Sequence, residues 1–217
     1  MTAWIPEPIW QGKDVFIIGG GSSLRGFDWS LLKKEHTIGC NQAFRLGPEV
    51  CDICIFCDKK FILKDREPRR GFYDELSKFP NPVVSNHNAL VKYKITWLKH
   101  MPRKVKGLGI DSLGYNKNTG AAAINLALIL GASTIYLLGF DMQLDTTGRP
   151  NWHDRLLDKA NEKTYKGMIK GFDNLHKDLE IVFPGRKIFN VTNKSDLNIF
   201  PKINFDTFWK ERRTNVA

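Results

Sequence analysis

Three consecutive glycines follow a short apolar run near the start of the chain, and this arrangement constrains the fold more than any other feature. The run VFII at residues 15–18 predicts a strand that is buried on both faces of a sheet. The glycines at 19–21 allow a tight turn and a close approach of the backbone to a ligand. Ser22 and Ser23 suit the start of a helix whose first N–H groups face an anion. The stretch therefore predicts a site for a ligand that carries phosphate.

Polar side chains lie at the carboxyl ends of the other predicted strands. Asn41, Asp58 and Asp141 each end or closely follow one of these strands. Ser85 and Asn86 end a further one. Because the carboxyl ends of parallel strands share one edge of a sheet, where ligands bind, we expect these side chains and the glycine turn to face the same ligand.

The glycine turn fits neither of two common phosphate-binding motifs. No Gly-Lys-Ser/Thr follows it, so it is not a P-loop. Leu24 stands where the third glycine of a dinucleotide fingerprint belongs, and the next strand ends in Asn41 rather than in an acidic residue. A turn that only joins a strand to a helix is the structural alternative. We favour a nucleotide that is bound without a dinucleotide-type fold.

The sequence Asn118-Thr119-Gly120 followed by AAAINLALILG is the clearest helix signal in the chain. Asn118 or Thr119 can cap the helix, and the small and apolar residues after Gly120 favour helix and close packing. Gly131 ends it. The N-terminus of this helix is a second predicted anion site.

The composition is that of an ordinary globular protein. The chain has 217 residues, 42% hydrophobic and 26% charged, and shows no shift that would divide it. We predict one α/β domain over residues 1–217, Rossmann-like, with a mostly parallel sheet and helices on both faces. An amphipathic helix is expected at 157–179, strands at 180–183 and 187–191, a partly helical segment at 59–80, and irregular structure at 92–117.

No stretch predicts a membrane span or a signal peptide, and the four cysteines do not require an oxidising compartment. We therefore expect a cytoplasmic protein. Cys51, Cys54 and Cys57 have a spacing that suggests a metal site, but residues three apart on a strand point to opposite faces. Core packing is the favoured role of these cysteines, and no metal site is predicted.

The formal net charge is +10, and part of the basic excess is clustered. One cluster spans residues 59–70, a second spans 92–106 and contains Tyr93 and Trp97, and the C-terminal tail is also basic. Such surfaces favour acidic or polyanionic partners, including DNA. A solvated basic face is the alternative.

Residues 142–156 have no core pattern and contain glycine, proline and threonine, which predicts a loop that serves as a lid. His153 lies in this loop. An imidazole has a pKa near neutrality and suits a general base. A surface histidine beside Asp154 is the alternative.

The segments GGGSSL, CNQAF, NTG and IYLLGFDM, in this order, resemble the bacterial sialyltransferases of glycosyltransferase family 42. They also resemble related phage and bacterial proteins and the archaeal 6-hydroxymethylpterin pyrophosphokinases. The resemblance covers most of residues 14–141 and is weaker at 180–200. It implies a GT-A-like variant of the Rossmann-like fold, a CMP-sugar or related donor, no metal or other cofactor, and a homo-oligomer.

The resemblance also implies roles for individual residues. His153 is the only histidine in the loop that carries the family's general base. The family's two tyrosines that neutralise the leaving phosphate fall near Gln143 and Arg149, and Arg149 is assigned to the anion in their place. The donor pocket is assigned to Gly19, Gly20, Gly21, Ser22, Asn41, Asp58, Ser85, Asn86, Asn118, Thr119 and Gly120, and Asp141 is added from its strand-end position.

The resulting hypothesis is a metal-independent glycosyltransferase. Its acceptor hydroxyl belongs to a glycan or, given the basic stretch at 92–106, to a hydroxylated base in phage-type DNA. One alternative is a pterin-type pyrophosphokinase that uses ATP and magnesium, with Asp58, Asp141 and Asp145 as metal ligands. The other is a non-catalytic module that binds nucleotide or nucleic acid.

Overall fold

A computed structural model describes residues 3–62, 72–153, 161–192 and 194–214. Its strands are β1 (Asp14–Ile18), β2 (His36–Cys40), β3 (Ile53–Phe56), β4 (Val83–Ser85), β5 (Leu98–His100), β6 (Arg103–Lys104), β7 (Leu113–Gly114), β8 (Thr134–Leu138) and β9 (Lys187–Asn190). Its α-helices are α1 (Tyr73–Leu76), α2 (Thr119–Ile129), α3 (Glu162–Val182) and α4 (Phe205–Thr214). Seven of the strands form one parallel sheet in the order β5-β4-β3-β2-β1-β8-β9, and β6 pairs with β7. The predicted α/β fold with a parallel sheet is confirmed.

Both faces of the sheet are covered, as the apolar run of β1 requires. Val15 and Ile17 pack on one face with side chains of α2 and α3. Phe16 and Ile18 point to the other face, where they pack with the turns after β1 and with α4. Apolar residues of the edge strands on this side form a further cluster with the α1 region. Because β1 is buried on both faces, it is an interior strand of the sheet, between β2 and β8.

The strand order reverses beside β1. The chain adds β2 to β5 outward on one side of β1 and then returns through α2 to place β8 on the other side. In open parallel sheets, this reversal leaves a crevice beyond the carboxyl ends of the two strands on either side of it, and ligands bind there. The glycine turn follows β1 and Asp141 follows β8, so both lie at the crevice.

Several local predictions are wrong. The helix after the glycine turn is a three-residue 3-10 helix, Ser22–Leu24, without a side-chain cap. Residues 180–182 are not a strand, since α3 continues through them. The N-cap of α3, Asn161, accepts a hydrogen bond from the Thr164 N–H, and the buried face of the helix extends to Leu179. The stretch predicted as irregular contributes β5 to the edge of the sheet.

Other predictions fall partly outside the described residues. Residues 63–71, which include part of the first basic cluster, and residues 154–156 of the predicted lid lie there. The strand predicted at 187–191 is confirmed as β9.

The predicted basic tail includes α4, which closes one face of the sheet. Phe208 and Trp209 are buried against Phe16. The Arg212 guanidinium pairs with the Glu35 carboxylate at 2.9 Å and with Asp14 at 3.2 Å. Part of the basic excess near the C-terminus therefore serves the fold rather than a partner.

All four cysteines are buried and free of disulfides. Burial raises the pKa of the Cys51 and Cys57 thiols to about 12. A protonated, desolvated thiol is a poor metal ligand and a poor nucleophile. Within the described ranges, no group of three or more His, Cys, Asp or Glu side chains is arranged to hold a metal ion.

Candidate functional site

A cavity of about 190 Å³, which we call the inner cavity, lies at the crevice between β1 and β8. It gathers nine of the residues predicted from the sequence: Gly19, Gly20, Gly21, Asn41, Asp58, Asn118, Thr119, Gly120 and Asp141. It also contains Gln143, which the resemblance placed near a family tyrosine, and residues that the sequence did not single out: Tyr115, Lys117, Asn151, Tyr165 and Met168. The tertiary structure therefore brings the glycine turn, the N-terminus of α2 and the loop after β8 to one place.

The glycine turn is shaped by its packing against the segment after β8. A Cβ atom on Gly21 would overlap the Asp141 carboxylate and lie 2.6 Å from the Gly139 carbonyl oxygen. A Cβ atom on Gly19 would also lie 2.6 Å from that oxygen. Glycine is thus required here by the protein's own backbone, whether or not a ligand approaches the turn.

Asp141 is the side chain that holds the turn. Its carboxylate accepts hydrogen bonds from the Ser23 N–H at 2.8 Å, the Ser23 hydroxyl at 2.5 Å and the Ser22 hydroxyl at 3.3 Å. Burial raises the pKa of Asp141 above its usual range, although these hydrogen bonds favour the ionised form. The prediction that the serines leave the first N–H groups free for a ligand's anion is wrong for Ser23, since its N–H is already bonded to Asp141.

The N-terminus of α2 also opens onto the inner cavity. The Asn118 side chain caps it by accepting a hydrogen bond from the Gly120 N–H at 2.7 Å. The positive end of the helix dipole therefore faces the cavity. Lys117, directly before the cap, is exposed and also contributes to the wall. Its place immediately before a predicted N-cap is the sequence signal that would have identified it.

Three residues of the cavity wall have left-handed backbone conformations. They are Asn41 with a φ of 54°, Lys117 with 56° and Met142 with 54°. Such conformations are uncommon for residues other than glycine and cluster at functional sites, where the surrounding structure holds them. Their concentration around one cavity supports a functional role for it.

Tyr165, on the first turns of α3, completes the wall. It belongs to the buried face of the helix, so the sequence pattern alone indicates only a core residue. Burial, with the nearby Asp141 carboxylate as a second cause, raises the pKa of Tyr165 to about 12. The hydroxyl therefore stays protonated near neutral pH and can donate a hydrogen bond to an anion.

Ser85 and Asn86 lie beneath the site rather than on the cavity wall. Both side chains are fully buried. The Asn86 side chain accepts a hydrogen bond from the Arg103 guanidinium at 3.1 Å, and the same guanidinium stacks on the Tyr115 ring at 4.0 Å. Tyr115 faces the cavity, where burial and the neighbouring Asp58 carboxylate raise its pKa. Arg103, which the sequence placed in a basic cluster, is thus a structural link between strand ends.

The loop after β8 is fastened to the glycine turn. The Trp152 backbone N–H donates to the Gly20 carbonyl at 3.0 Å, and the Trp152 indole N–H donates to the Gly19 carbonyl at 3.0 Å. The Trp152 ring packs against Trp29 with 5.2 Å between ring centroids. The described part of the predicted lid is therefore held against the turn at Trp152.

The two residues predicted to act in catalysis do not line the inner cavity. His153 is half-buried next to the Trp152 ring, with 5.0 Å between ring centroids. Arg149 is exposed at the tip of the loop, where its backbone N–H bonds to the Asp145 carboxylate. Both sit on the loop that closes the site, so a movement of this loop would change their distance from a bound ligand.

The fold and the cavity define an α/β domain with a crevice at the reversal of its strand order. The fold is similar to that of the sialyltransferase CstII from Campylobacter jejuni, solved in complex with the substrate analogue cytidine-5'-monophosphate. The TM-score is 0.52 and the sequence identity is 17%, over 89% of this chain and 85% of that one. A second structure of CstII, in complex with CMP-3FNeuAc, gives a TM-score of 0.47 at 16% identity.

The similarity to CstII supports the sequence resemblance at the level of the fold. No protein-family model and no curated protein sequence matches the chain. Among the described helices, none is long and apolar enough to cross a membrane.

Proposed function

We propose that this protein is a glycosyltransferase that uses a nucleotide sugar. One observation carries the proposal. The fold is similar to that of a sialyltransferase, and the N-terminus of α2, Lys117 and Tyr165 all line the inner cavity at the reversal of the strand order. Helix N-termini, ammonium groups and phenolic hydroxyls are groups that bind phosphate. A nucleotide with its phosphate at the start of α2 fits this arrangement.

The same groups would assist the departure of the nucleotide. Transfer of a sugar to an acceptor hydroxyl forms a bond from the acceptor oxygen to the anomeric carbon and breaks the bond from that carbon to the phosphate oxygen. The leaving phosphate gains negative charge, which the helix dipole, Lys117 and the protonated Tyr165 hydroxyl stabilise. This stabilisation requires no metal ion. The acceptor proton passes to a base, and we assign that role to His153, with Arg149 as an additional cation; both roles require the loop after β8 to move toward the inner cavity, which neither residue lines.

The donor that we propose is a sugar linked to a cytidine nucleotide. CstII was solved with cytidine-5'-monophosphate, which supports a pyrimidine nucleotide here. Asn41 and the backbone of the glycine turn provide further polar groups on the wall of the inner cavity. The acceptor is a hydroxyl group of a glycan or of a hydroxylated base in DNA. Exposed lysines in the stretch 92–106 support the DNA acceptor through charge.

Calorimetric titration of the protein with CMP, UMP, NAD and ATP, in EDTA and then with magnesium, tests the proposal. Binding of CMP in EDTA is the expected result, with a matching rise of the melting temperature. The absence of any response to a pyrimidine nucleotide would contradict it. Salt-sensitive binding of duplex DNA would support the DNA acceptor.

A pyrophosphokinase is the second candidate, because Asp58 and Asp141 both face the inner cavity and carboxylates bind magnesium. Stabilisation by ATP only when magnesium is present would favour it. A non-catalytic nucleotide-binding module is distinguished by turnover: it would bind CMP but release no free CMP from a CMP-sugar.

A further inference from the structure

The segment directly before α2 forms a tight turn of an uncommon kind. The Asn118 N–H donates to the Tyr115 carbonyl oxygen at 2.8 Å, which closes a turn over residues 115–118. Its two central residues, Asn116 and Lys117, both have left-handed backbones, with φ angles of 48° and 56°. Two positive φ angles inside a hydrogen-bonded turn are the mark of a type I′ turn, which favours asparagine and then glycine at these positions. Asn116 meets this preference, whereas Lys117 stands where glycine is expected.

The left-handed backbone of Lys117 is a source of strain. Residues with a Cβ atom are disfavoured in this conformation, because the Cβ lies too close to a carbonyl oxygen, and only asparagine and aspartate tolerate it well. A glycine at 117 would relieve the strain, but it would also remove the lysine side chain from the wall of the inner cavity. A strained residue at a cavity indicates a role in ligand binding that outweighs its cost to the fold.

The Asn116 side chain holds the turn from inside the core, where it is only 2% exposed. Its Oδ1 atom accepts a hydrogen bond from the Gly107 N–H at 2.7 Å. Its Nδ2 atom donates to the Gly107 carbonyl at 3.0 Å and to the Gly114 carbonyl at 3.2 Å. These three bonds fix the residue directly before Lys117, and so they fix the direction in which the lysine leaves the turn.

A second buried asparagine, Asn125 of α2, joins the same loop to the helix. Its Oδ1 atom accepts hydrogen bonds from the Gly109 N–H at 3.0 Å and the Gly114 N–H at 2.7 Å, and its Nδ2 atom donates to the Gly109 carbonyl at 2.8 Å. Gly114 therefore contacts the side chains of both asparagines. A fully buried amide is tolerated only when such bonds are made. The loop and its turn are thereby held against α2, whose N-terminus faces the inner cavity.

The backbone of the turn also sets the position of α3. A Cβ atom on Gly171 would overlap the Asn116 carbonyl oxygen, so α3 packs directly on the turn. Tyr165 belongs to the same helix and lines the inner cavity together with Lys117. One turn therefore relates the two side chains that we assign to the phosphate.

The last residue of the turn keeps one hydrogen-bond donor for a ligand. The Oδ1 atom of Asn118 is used by the cap of α2, where it accepts from the Gly120 N–H. The Nδ2 atom of Asn118 is buried, and no group among the described residues accepts a hydrogen bond from it. Asn118 belongs to the wall of the inner cavity, so an anion bound there would satisfy this donor.

We propose that Asn116 and Asn125 are positioning residues, which hold the type I′ turn so that the strained Lys117 presents its ammonium group to the phosphate of a nucleotide. This inference rests on the proposed function, since it takes the inner cavity as the nucleotide site. Neither asparagine belongs to the wall of that cavity. Their effect on nucleotide binding is therefore transmitted through Lys117.

A double-mutant cycle tests this transmission. CMP is titrated into the full-length wild type, Asn116→Gly, Asn125→Ser and Lys117→Ala, and into the two variants that combine Lys117→Ala with one asparagine substitution. Glycine at 116 keeps the positive φ and removes only the three side-chain bonds. We expect each asparagine substitution to weaken CMP binding by about threefold to tenfold when Lys117 is present, and by less than about twofold when it is alanine. The same loss in both backgrounds indicates a merely structural role and would overturn the proposal.

Urea unfolding tests the strain at Lys117. Lys117→Gly should unfold at a higher urea concentration than Lys117→Ala, because only glycine relieves the left-handed backbone, while both variants bind CMP about equally weakly. Lys94 is a matched control, with a φ of 49° outside the inner cavity. Lys94→Gly should likewise be more stable than Lys94→Ala, and both should keep the CMP affinity of the wild type. A Lys117→Gly variant that is no more stable than Lys117→Ala would contradict the strain.

The titration of the wild type separates this proposal from the proposed function. Failure of CMP to bind the wild type would remove the proposed function. Normal CMP binding, with equal losses in the two backgrounds of the cycle, would remove only the positioning roles. Because Asn116 and Asn125 are tested in separate variants, the cycle can be completed with either one if the other variant does not fold.

Discussion

The Asp141 carboxylate accepts a hydrogen bond of 2.8 Å from the backbone N–H of Ser23, and so joins the segment after β8 to the turn after β1. These two strands are neighbours in the sheet, but the residues are 118 positions apart in the sequence. The Asp141 carboxylate therefore accepts from an N–H group of the short helix after β1, which was expected to bind a ligand's phosphate. The N-terminus of α2 is therefore the position that we assign to the phosphate.

The tight packing of the glycine turn predicts a large difference between two alanine substitutions. Gly21→Ala places a Cβ against Asp141 and the Gly139 carbonyl, whereas Gly20→Ala meets only the Asn151 side chain at 3.1 Å. We expect Gly21→Ala to lower the free energy of unfolding by about 1–3 kcal/mol or more, and Gly20→Ala to lower it by much less. Urea unfolding without nucleotide measures both. Equal losses would show that the turn relaxes at either position.

The raised pKa of Asp141 predicts a pH-dependent contribution to stability. The folded protein holds the Asp141 proton more tightly than the unfolded chain does, where the pKa of this carboxyl group is near 3.8. The stability from this group is therefore full below that pH and is lost as the pH rises through the folded-state pKa. In Asp141→Asn this titration is absent.

We therefore expect the free energy of unfolding of the wild type, minus that of Asp141→Asn, to fall as the pH rises above 3.8. Urea titrations of both proteins from about pH 4 to pH 7 measure this difference. A difference that does not change with pH, or one that increases, would contradict the raised pKa.

The position of Lys117 predicts a specific role in phosphate binding. Lys117→Ala should weaken CMP binding by about tenfold, since it removes one charge-assisted contact. Lys94→Ala is a matched control, because Lys94 is also exposed and also has a left-handed backbone, with a φ of 49°, but lies outside the inner cavity. Isothermal titration with CMP compares the two variants. The same CMP affinity in both would remove Lys117 from the site.

The assignment of His153 as the base predicts a loss of turnover without a loss of binding. His153→Ala should reduce the release of CMP from a CMP-sugar by about a hundredfold or more and leave CMP affinity unchanged. His176→Ala is the control, since His176 is exposed on α3 and its ring contacts Phe200 rather than the loop after β8. Full activity in His153→Ala would move the base to another residue or favour the non-catalytic module.

Local sequence patterns predicted the elements that depend on neighbouring residues. The apolar runs of β1 and β8 identified buried strands, and the alanine-rich segment with its cap identified α2. The error at residues 180–182 has a simple cause. Ile181 and Val182 are β-branched and the aromatic Phe183 follows them, which favours a strand, whereas the packing of α3 through Leu175 and Leu179 extends the helix.

The residues that complete the cavity could not be predicted in the same way. Tyr165 carries only a core pattern, and Arg103 carries only a charge pattern. Their neighbours in space come from distant parts of the chain: Tyr165 faces the cavity with Asp141, and Arg103 bonds to Asn86 and stacks on Tyr115. Such contacts depend on the order of the strands, which no local pattern contains.

The sequence by itself determined the parallel α/β architecture and the edge of the sheet at which the inner cavity lies, because strand burial, glycine turns and helix caps are local properties of the chain. Only the tertiary structure decided which groups remain open to a ligand. It paired the Ser23 N–H with Asp141, buried Ser85 and Asn86 beneath the site, and placed Lys117 and Tyr165 on the cavity wall. The physical reason is that hydrogen-bond partners and burial are set by strand order and packing, which bring residues far apart in the sequence into contact.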